Sequence, residues 1–426
     1  MKRCIGVLLV ILLSPAGLTA QTGDPQGNAD EGERSIRTAD LRRHAEFLAA
    51  DDMRGRLAGT PEARKAADYI AAAMEEAGLE PRGFPRKSYF QTFSFPGKTA
   101  RNVCGVIKGT HPSLKKQYVV LGAHFDHAGM GRFGRNPARR GEVHNGADDN
   151  ASGTIALLEL MEAFAGRPQK RSLLFLAFSA EEWGLHGSRA WVKKPTVKLS
   201  SVVAMLNMDM VGRSSNRYLF VGGVHTGKGL LELVRRMNQP FGFDLEVCGG
   251  GPGPSDMDPF YRKGIPVLFF TTGLHPQYHT PDDDVELLAL DAERDLVRMI
   301  YRTVKALANA PKRPRFQTDD RQAMPAGEKG GGRGTDHIYA MLGARARSCA
   351  EAPAGGVRLG KLASRSPGGR AGLKRGDVVL KIDGDEIKGK LDLMRRLAAA
   401  RYGEKVKVSI RRGKRRKTFT FRFKPW

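Results

Sequence analysis

Five apolar runs constrain this chain more than anything else in it: Tyr118–Ala123, Ser172–Phe178, Val202–Met208, Tyr218–Val221 and Pro266–Phe270. A strand with one wet face alternates apolar and polar side chains, and these do not, so each run predicts a strand buried on both faces. Helix-patterned stretches lie between them, at Ala151–Ala165, Leu230–Met237 and Leu288–Ala308. A further helix opens at Thr60-Pro61-Glu62, repeats Ala66, Tyr69, Ile70, Ala73, Met74 and Ala77 at helical spacing, and stops at Gly78. Strand and helix in alternation give the α/β class, a mixed, largely parallel sheet sandwiched by helices. Ligands of such sheets gather beyond the carboxyl ends of the strands.

At 426 residues the chain is long enough for two or three domains of roughly 100–200 residues each, which excludes a miniature disulfide scaffold. A 41% hydrophobic content excludes a largely disordered chain. The formal charge is +25, and residues 335–426 hold 24 basic against 8 acidic side chains, so most of the excess is C-terminal. Its densest run, Arg411, Arg412, Lys414, Arg415, Arg416 and Lys417, is flanked by alternating Val406, Val408, Ile410, Phe419, Phe421 and Phe423. That pattern reads as a soluble edge hairpin turning at Gly413, with no specific nucleic-acid partner expected.

Met1-Lys2-Arg3, an apolar run from Cys4 to Leu13 and small residues up to Ala20 have the layout of a secretory signal peptide. The run falls short of the roughly 20 residues a membrane span requires, so a secreted or periplasmic protein without a membrane span is expected. Cys104, Cys248 and Cys349 remain after its removal, too few and too far apart for a disulfide framework. The expected organisation is a signal peptide at 1–20, a flexible leader at 21–36, a first domain at 37–310, a Pro/Gly-rich charged linker at 311–334 and a small module at 335–426.

Each acidic or histidine cluster of the first domain follows a strand candidate or lies in an adjacent loop: His124 and Asp126; Asp148 and Asp149; Glu181 and Glu182; Asp209; His279 and Asp282. Converging on one site, they form the donor set of zinc, enough for two ions with one carboxylate between them. So many buried carboxylates would be very costly without cations. Two ions about 3.5–4 Å apart polarise a carbonyl and acidify water, leaving one carboxylate free as general base. Adjacent Glu181 and Glu182 can divide the tasks of base and ligand, because neighbours in an extended segment face different ways.

Five segments carry a resemblance: Gly122-Ala123-His124-Phe125-Asp126, Gly146-Ala147-Asp148-Asp149-Asn150-Ala151-Ser152-Gly153, Ser179-Ala180-Glu181-Glu182-Trp183-Gly184, Asn207-Met208-Asp209-Met210 and Tyr278-His279-Thr280-Pro281-Asp282-Asp283. Together they resemble the di-zinc exopeptidases of secreted bacterial leucyl aminopeptidase type, in the glutamate carboxypeptidase and glutaminyl cyclase superfamily. The resemblance spans roughly residues 40–308. It implies two Zn2+ ions, one on His124 and Asp209, the other on Glu182 and His279, with Asp149 bridging. It also implies Glu181 as general base, Asp126 orienting the His124 ring, and an Asp149-Asn150 bond that is often cis. Asp148 competes for the bridge; alignment on Ser152-Gly153 favours Asp149, and Asp148 suits a helix cap. Two departures stand out, Met257 where many relatives place His, and a Gly249–Gly253 loop without the Tyr that some use at the oxyanion. Tyr278 is a substitute donor or packs beside His279, while His127, His144, His186, His225 and His275 match no ligand slot.

In the last segment, Ser366-Pro367-Gly368-Gly369-Arg370-Ala371-Gly372-Leu373-Lys374-Arg375-Gly376-Asp377-Val378-Val379 resembles a PDZ domain, a small mainly-β module, with Ile338–Gly343 as a weaker match. That resemblance implies capture of a C-terminal peptide ligand by strand addition, or a degenerate module that only packs on the first domain. The functional expectation is a secreted zinc aminopeptidase acting on peptide substrates. The alternatives are a carboxypeptidase or glutaminyl cyclase on the same scaffold, or a non-catalytic peptide-binding protein.

Overall fold

Successive residues of the long apolar strands go to opposite sides of one sheet, and both sides are covered. In Ser172–Phe178, Leu173, Phe175 and Ala177 join one apolar layer while Leu174, Leu176 and Phe178 join the other. The computed structural model describes residues 29–85, 87–134, 137–215, 217–248, 255–318, 350–352, 355–360, 362, 366–389, 393, 396, 405–413 and 415–422. Its first domain holds strands β1 (Glu80–Pro81), β2 (Phe90–Phe95), β3 (Lys98–Ile107), β4 (Tyr118–His124), β5 (Ser172–Phe178), β6 (Val202–Met208), β7 (Tyr218–Gly222), β8 (Asp244–Cys248) and β9 (Val267–Thr271). They pair in the order β1-β3-β5-β4-β6-β9-β7-β8, with β2 on β3.

The centre of this sheet is parallel. Strand β4 pairs in parallel with β5 and β6, and β6 in parallel with β9, so the carboxyl ends of four neighbouring strands share one edge. Strands β3 and β7 run antiparallel to their neighbours β5 and β9 and make the sheet mixed. One face is covered by α2 (Thr38–Leu48), α3 (Pro61–Glu76), α4 (Gly153–Phe164), α6 (Leu230–Asn238) and α8 (Leu290–Asn309). Trp191 of α5 (His186–Lys193) stacks on Phe260 of α7 (Asp258–Tyr261) across the other face. The start of α3 is capped as the sequence suggests, with Thr60 Oγ1 accepting from the Ala63 N–H and Pro61 in the first turn.

Two expectations are corrected. The flexible leader at 21–36 contains a helix, α1 (Glu31–Ser35), capped by Asp30. Glu33 is buried on Arg302 at 2.8 Å and Asp30 pairs with Lys305, so charges of α8 pin this segment to the domain. The linker expected from 311 begins later than its Pro content suggests: Arg313 donates to the Val202 carbonyl at 3.0 Å and Phe316 packs on Tyr261.

The C-terminal module is a second, antiparallel sheet, made of β10 (Ala350–Glu351), β11 (Val357–Arg358), β12 (Val378–Ile382), β13 (Asp385–Glu386), β14 (Lys405–Arg412) and β15 (Arg415–Arg422). The basic hairpin closes at Gly413, φ +60°, where a side chain would be strained. Not all of its charge faces water, because Arg412 forks onto both carboxylate oxygens of Asp377 at 2.7 Å. The 1–20 signal segment, Cys349, Ile338–Gly343 and most of the 391–400 stretch lie outside the described residues. The module's apolar interior, Val357, Leu359, Val379, Ile382, Val406, Val408 and Ile410, is continuous with Met210 and Tyr278 of the first domain. Among the described residues no helix is long and apolar enough to cross a membrane.

Candidate metal centre

The carboxyl edge of β5, β4, β6 and β9 brings the sequence-predicted residues together. His124 ends β4, Glu181 and Glu182 follow β5, Asp209 follows β6, and the turn after β9 carries His279. Asp149 lies in the distorted turn ahead of α4 and is joined to Asn150 by a cis peptide bond. Three positions at this edge take the left-handed conformation without being glycine: Ala180 (φ +59°), Met210 (φ +57°) and His279 (φ +55°). Strained backbone of this kind persists where the surroundings hold it, and it clusters at sites.

Asp149 occupies the middle. Its Oδ1 lies 3.6 Å from His124 Nε2, and its Oδ2 lies 2.9 Å from His279 Nε2. His124 Nε2 is also 3.5 Å from Asp209 Oδ1, and His279 Nε2 is 3.1 Å from Glu182 Oε1. Two donor groups result, His124–Asp149–Asp209 and His127–Asp149–Glu182–His279, which share one carboxylate.

Hydrogen bonds on the far side of two rings say what should lie between these groups. Nδ1 of His124 lies 3.1 Å from the Asp126 carbonyl, and Nδ1 of His279 lies 3.1 Å from the Phe133 carbonyl. Each Nδ1–H donates outward, so a neutral ring turns its Nε2 lone pair toward the carboxylate oxygens, which, against the effect of burial, pull His124 and His279 well above the usual imidazole range. Asp149 Oδ2 and His279 Nε2 are buried without a hydrogen-bond partner. Lone pairs facing lone pairs in a dry site call for cations between them, and imidazole plus carboxylate is a zinc donor set. The residues therefore fit the metal.

The two adjacent glutamates are driven apart electrostatically. Burial, with Glu182 and Asp256 adding to it, lifts Glu181 well above the usual carboxylate range despite the pull of His124. Burial acts on Glu182 in the same sense, but His279 and His127 outweigh it and hold Glu182 well below that range. Environments that split two carboxylates this way mark different tasks for them. Asp209 is held low, against the effect of burial, by His124 and by Ser255, whose hydroxyl donates to its Oδ2 at 2.6 Å.

The outer residues differ from expectation in detail. Asp126 reaches the His124 ring with its main-chain carbonyl; its Oδ1 is 3.9 Å from Nδ1 and instead accepts the Glu181 N–H at 3.1 Å. Asp148 is no helix cap: its Oδ1 accepts the Gly212 N–H at 2.7 Å and its Oδ2 faces His275 at 3.2 Å. Asp282 points away from the centre, to Arg139, whereas buried Asp283 accepts the N–H groups of both Asp148 and Asp149 at 3.0 Å. Met257 is fully buried, and the Asn207 side-chain amide donates to its sulfur at 3.8 Å. Tyr278 stacks on His279 with ring centroids 4.0 Å apart.

Sequence reasoning missed two residues. His127, set aside as matching no ligand slot, is fully buried with Nδ1 3.0 Å from Glu182 Oε1. Its position directly after Asp126 was the available signal. Arg56 is buried and donates to the carbonyls of Phe125 (2.9 Å), Asn145 (2.7 Å) and Gly146 (3.0 Å), tying together the two loops that present His124 and Asp149. Nothing in its local sequence marks it.

Residues 102–304 match Peptidase family M28 and residues 340–422 match the PDZ domain. The chain thus resembles peptidase family M28 over residues 102–304, just under half of its length, and a PDZ domain over residues 340–422. Over 230 residues it is 31% identical to Aminopeptidase YwaD of Bacillus subtilis (50% of this chain, 46% of the relative). Over 223 residues it is 27% identical to Leupeptin-inactivating enzyme 1 of Streptomyces exfoliatus (52% and 45%). The chain spans about half the length of these curated relatives. In fold it is similar to BSAP, a zinc aminopeptidase from Bacillus subtilis, with a TM-score of 0.53 at 19% identity over 65% of this chain and 96% of that one. It is likewise similar to a Porphyromonas gingivalis glutaminyl cyclase, with a TM-score of 0.55 at 20% identity over 63% and 97%.

Proposed function

We propose that this protein is a zinc-dependent aminopeptidase that removes residues from the N-termini of peptides at a two-ion centre. The observation that carries the reading is the Asp149 carboxylate, whose two oxygens face separate donor groups at 3.6 Å and 2.9 Å. His124 and Asp209 would hold one zinc, Glu182 and His279 the other, and Asp149 both. Bound zinc supplies a polarised scissile carbonyl and water of lowered pKa.

The chain's own residues do the rest. Glu181, lifted by burial, takes a proton from the attacking water as the new C–O bond forms. As the C–N bond breaks, it hands that proton to the departing amine. Glu182 stays ionised as a ligand, and Asp283 holds the main chain of Asp149 in place. The zinc aminopeptidase BSAP and Aminopeptidase YwaD support the aminopeptidase reading by their similarity. The signal-peptide layout at the N-terminus supports export, and the PDZ domain supports capture of a peptide by strand addition.

Aminoacyl reporters with free and with acylated amino groups, assayed before and after chelation and on return of zinc, test the function. Cleavage of the free reporters alone, lost to chelator and restored by zinc, is expected. Equal cleavage of blocked reporters, or turnover indifferent to chelator, overturns it.

A further inference from the structure

The two donor groups that share Asp149 are unequal. One contains His124, Asp149 and Asp209; the other contains His127, Asp149, Glu182 and His279. Donors placed about 2.0–2.1 Å from a tetrahedral zinc stand about 3.3 Å from one another. In the larger group His127 Nδ1 is 3.0 Å from Glu182 Oε1 and 3.7 Å from Asp149 Oδ2. His279 Nε2 in the same group is 3.1 Å from Glu182 Oε1 and 2.9 Å from Asp149 Oδ2. These separations bracket the edges of a zinc tetrahedron, and all four corners belong to the protein. From them we infer that His127 is a fourth protein ligand of the ion held by Glu182 and His279, making that position closed and the His124–Asp209 position the open one.

Two further features fit. The His127 ring is fixed by its surroundings: it lies edge-on to His279 at 5.4 Å, and a side chain on Gly146 would come within 2.4 Å of it. Ligation through Nδ1 leaves the ring hydrogen on Nε2, which is buried without a partner among the described residues, a cost that the bond to the metal has to outweigh. Exposure is also unequal. The Asp209 side chain is 14% exposed, while those of His127 and Glu182 are 0% and 5% exposed. Closed four-ligand zinc sites are structural, and three-ligand sites keep a position for water. The division is thus one ion that anchors and one beside which water and substrate exchange.

This inference rests on the two-ion reading and is tested on the full chain. Purified protein is stripped, reloaded with zinc, counted by elemental analysis, and challenged with a chromogenic chelator while release is followed in time. Two ions per chain are expected, one leaving at least tenfold more slowly than the other. In His127→Ala the slow phase accelerates at least tenfold while the fast phase is unchanged. X-ray absorption of the zinc-loaded parent should give three imidazole nitrogens for two ions, and this readout stands even where the variant does not fold. Two ions with only two imidazoles, or release rates unaltered in His127→Ala, overturn the role of His127 and leave the two-ion centre intact. A chain that binds no second ion overturns the two-ion reading itself.

Discussion

At the scale of single residues, the proposed mechanism assigns some groups to hold the metal and one to react. Glu181→Gln keeps the shape of the side chain and removes its basicity, so zinc content should stay at the parent level while turnover falls by about 10²–10⁴, the usual contribution of a positioned base. Elemental analysis beside reporter hydrolysis checks both halves, and parental turnover in this variant would remove Glu181 from the mechanism. Arg56→Met is a different kind of change. It strips donors from the carbonyls of Phe125, Asn145 and Gly146 inside the protein, and unmet buried acceptors should lower stability by about 3 kcal/mol, read by denaturant unfolding. His124, Glu181, Glu182 and Asp209 were legible in the sequence because each follows a strand whose apolar run is unmistakable, and Asp149 and His279 because they lie in the adjoining loops. His127 and Arg56 were not, since their partners lie far away in the chain and neither belongs to a periodic pattern.

At the scale of elements, what could be read depended on burial. Strands β4, β5 and β6 are buried along nearly their whole length, and their apolar runs gave their positions to within a residue. Strands β2 and β8 lie toward the sheet margins with mixed exposure, and polar residues such as Gln91, Thr92 and Glu246 broke any recognisable run. The leader helix α1 escaped because charge pairs with α8 hold it, and such pairs leave no periodicity. Helix α4 carries a further polar group among apolar ones: Glu159 is buried, and burial, then the nearby Glu162 and Asp40, push its carboxyl up to about 8. A carboxyl raised in the folded state binds a proton there that the unfolded chain has already released, so its contribution to stability declines as pH rises from about 4.5 to about 8. Glu159→Gln should therefore flatten the dependence of melting temperature on pH across that window, with its largest gain over the parent near pH 8. Parallel curves for parent and variant would contradict the assignment.

For the molecule as a whole, the metal centre should act as a fastener. Stripped of cations, the buried carboxylates of Asp149, Glu182 and Asp209 face one another and lone pairs of imidazole. An ion present at 100 times its dissociation constant adds about 2.7 kcal/mol to the folded state. At roughly 2–4 °C per kcal/mol for a domain of this size, two ions should raise the calorimetric melting temperature by on the order of 10 °C or more. An unchanged transition after stripping would contradict this. The overall class was legible in the sequence because alternating strand and helix admit few arrangements, and the small mainly-β C-terminal module because its 366–379 segment resembles a PDZ domain. The contact between the two bodies was not, since nothing local to Met210 or Tyr278 announces a distant partner.

That contact ties the histories of the two modules together. Met210 follows Asp209 and Tyr278 precedes His279, and both share an apolar interior with Val357, Leu359 and Ile382 of the C-terminal sheet. Exchanging this PDZ domain for another of equal fold would leave oily side chains wet at the rim of the metal centre, so a graft here would demand a matched surface as well as a matched fold.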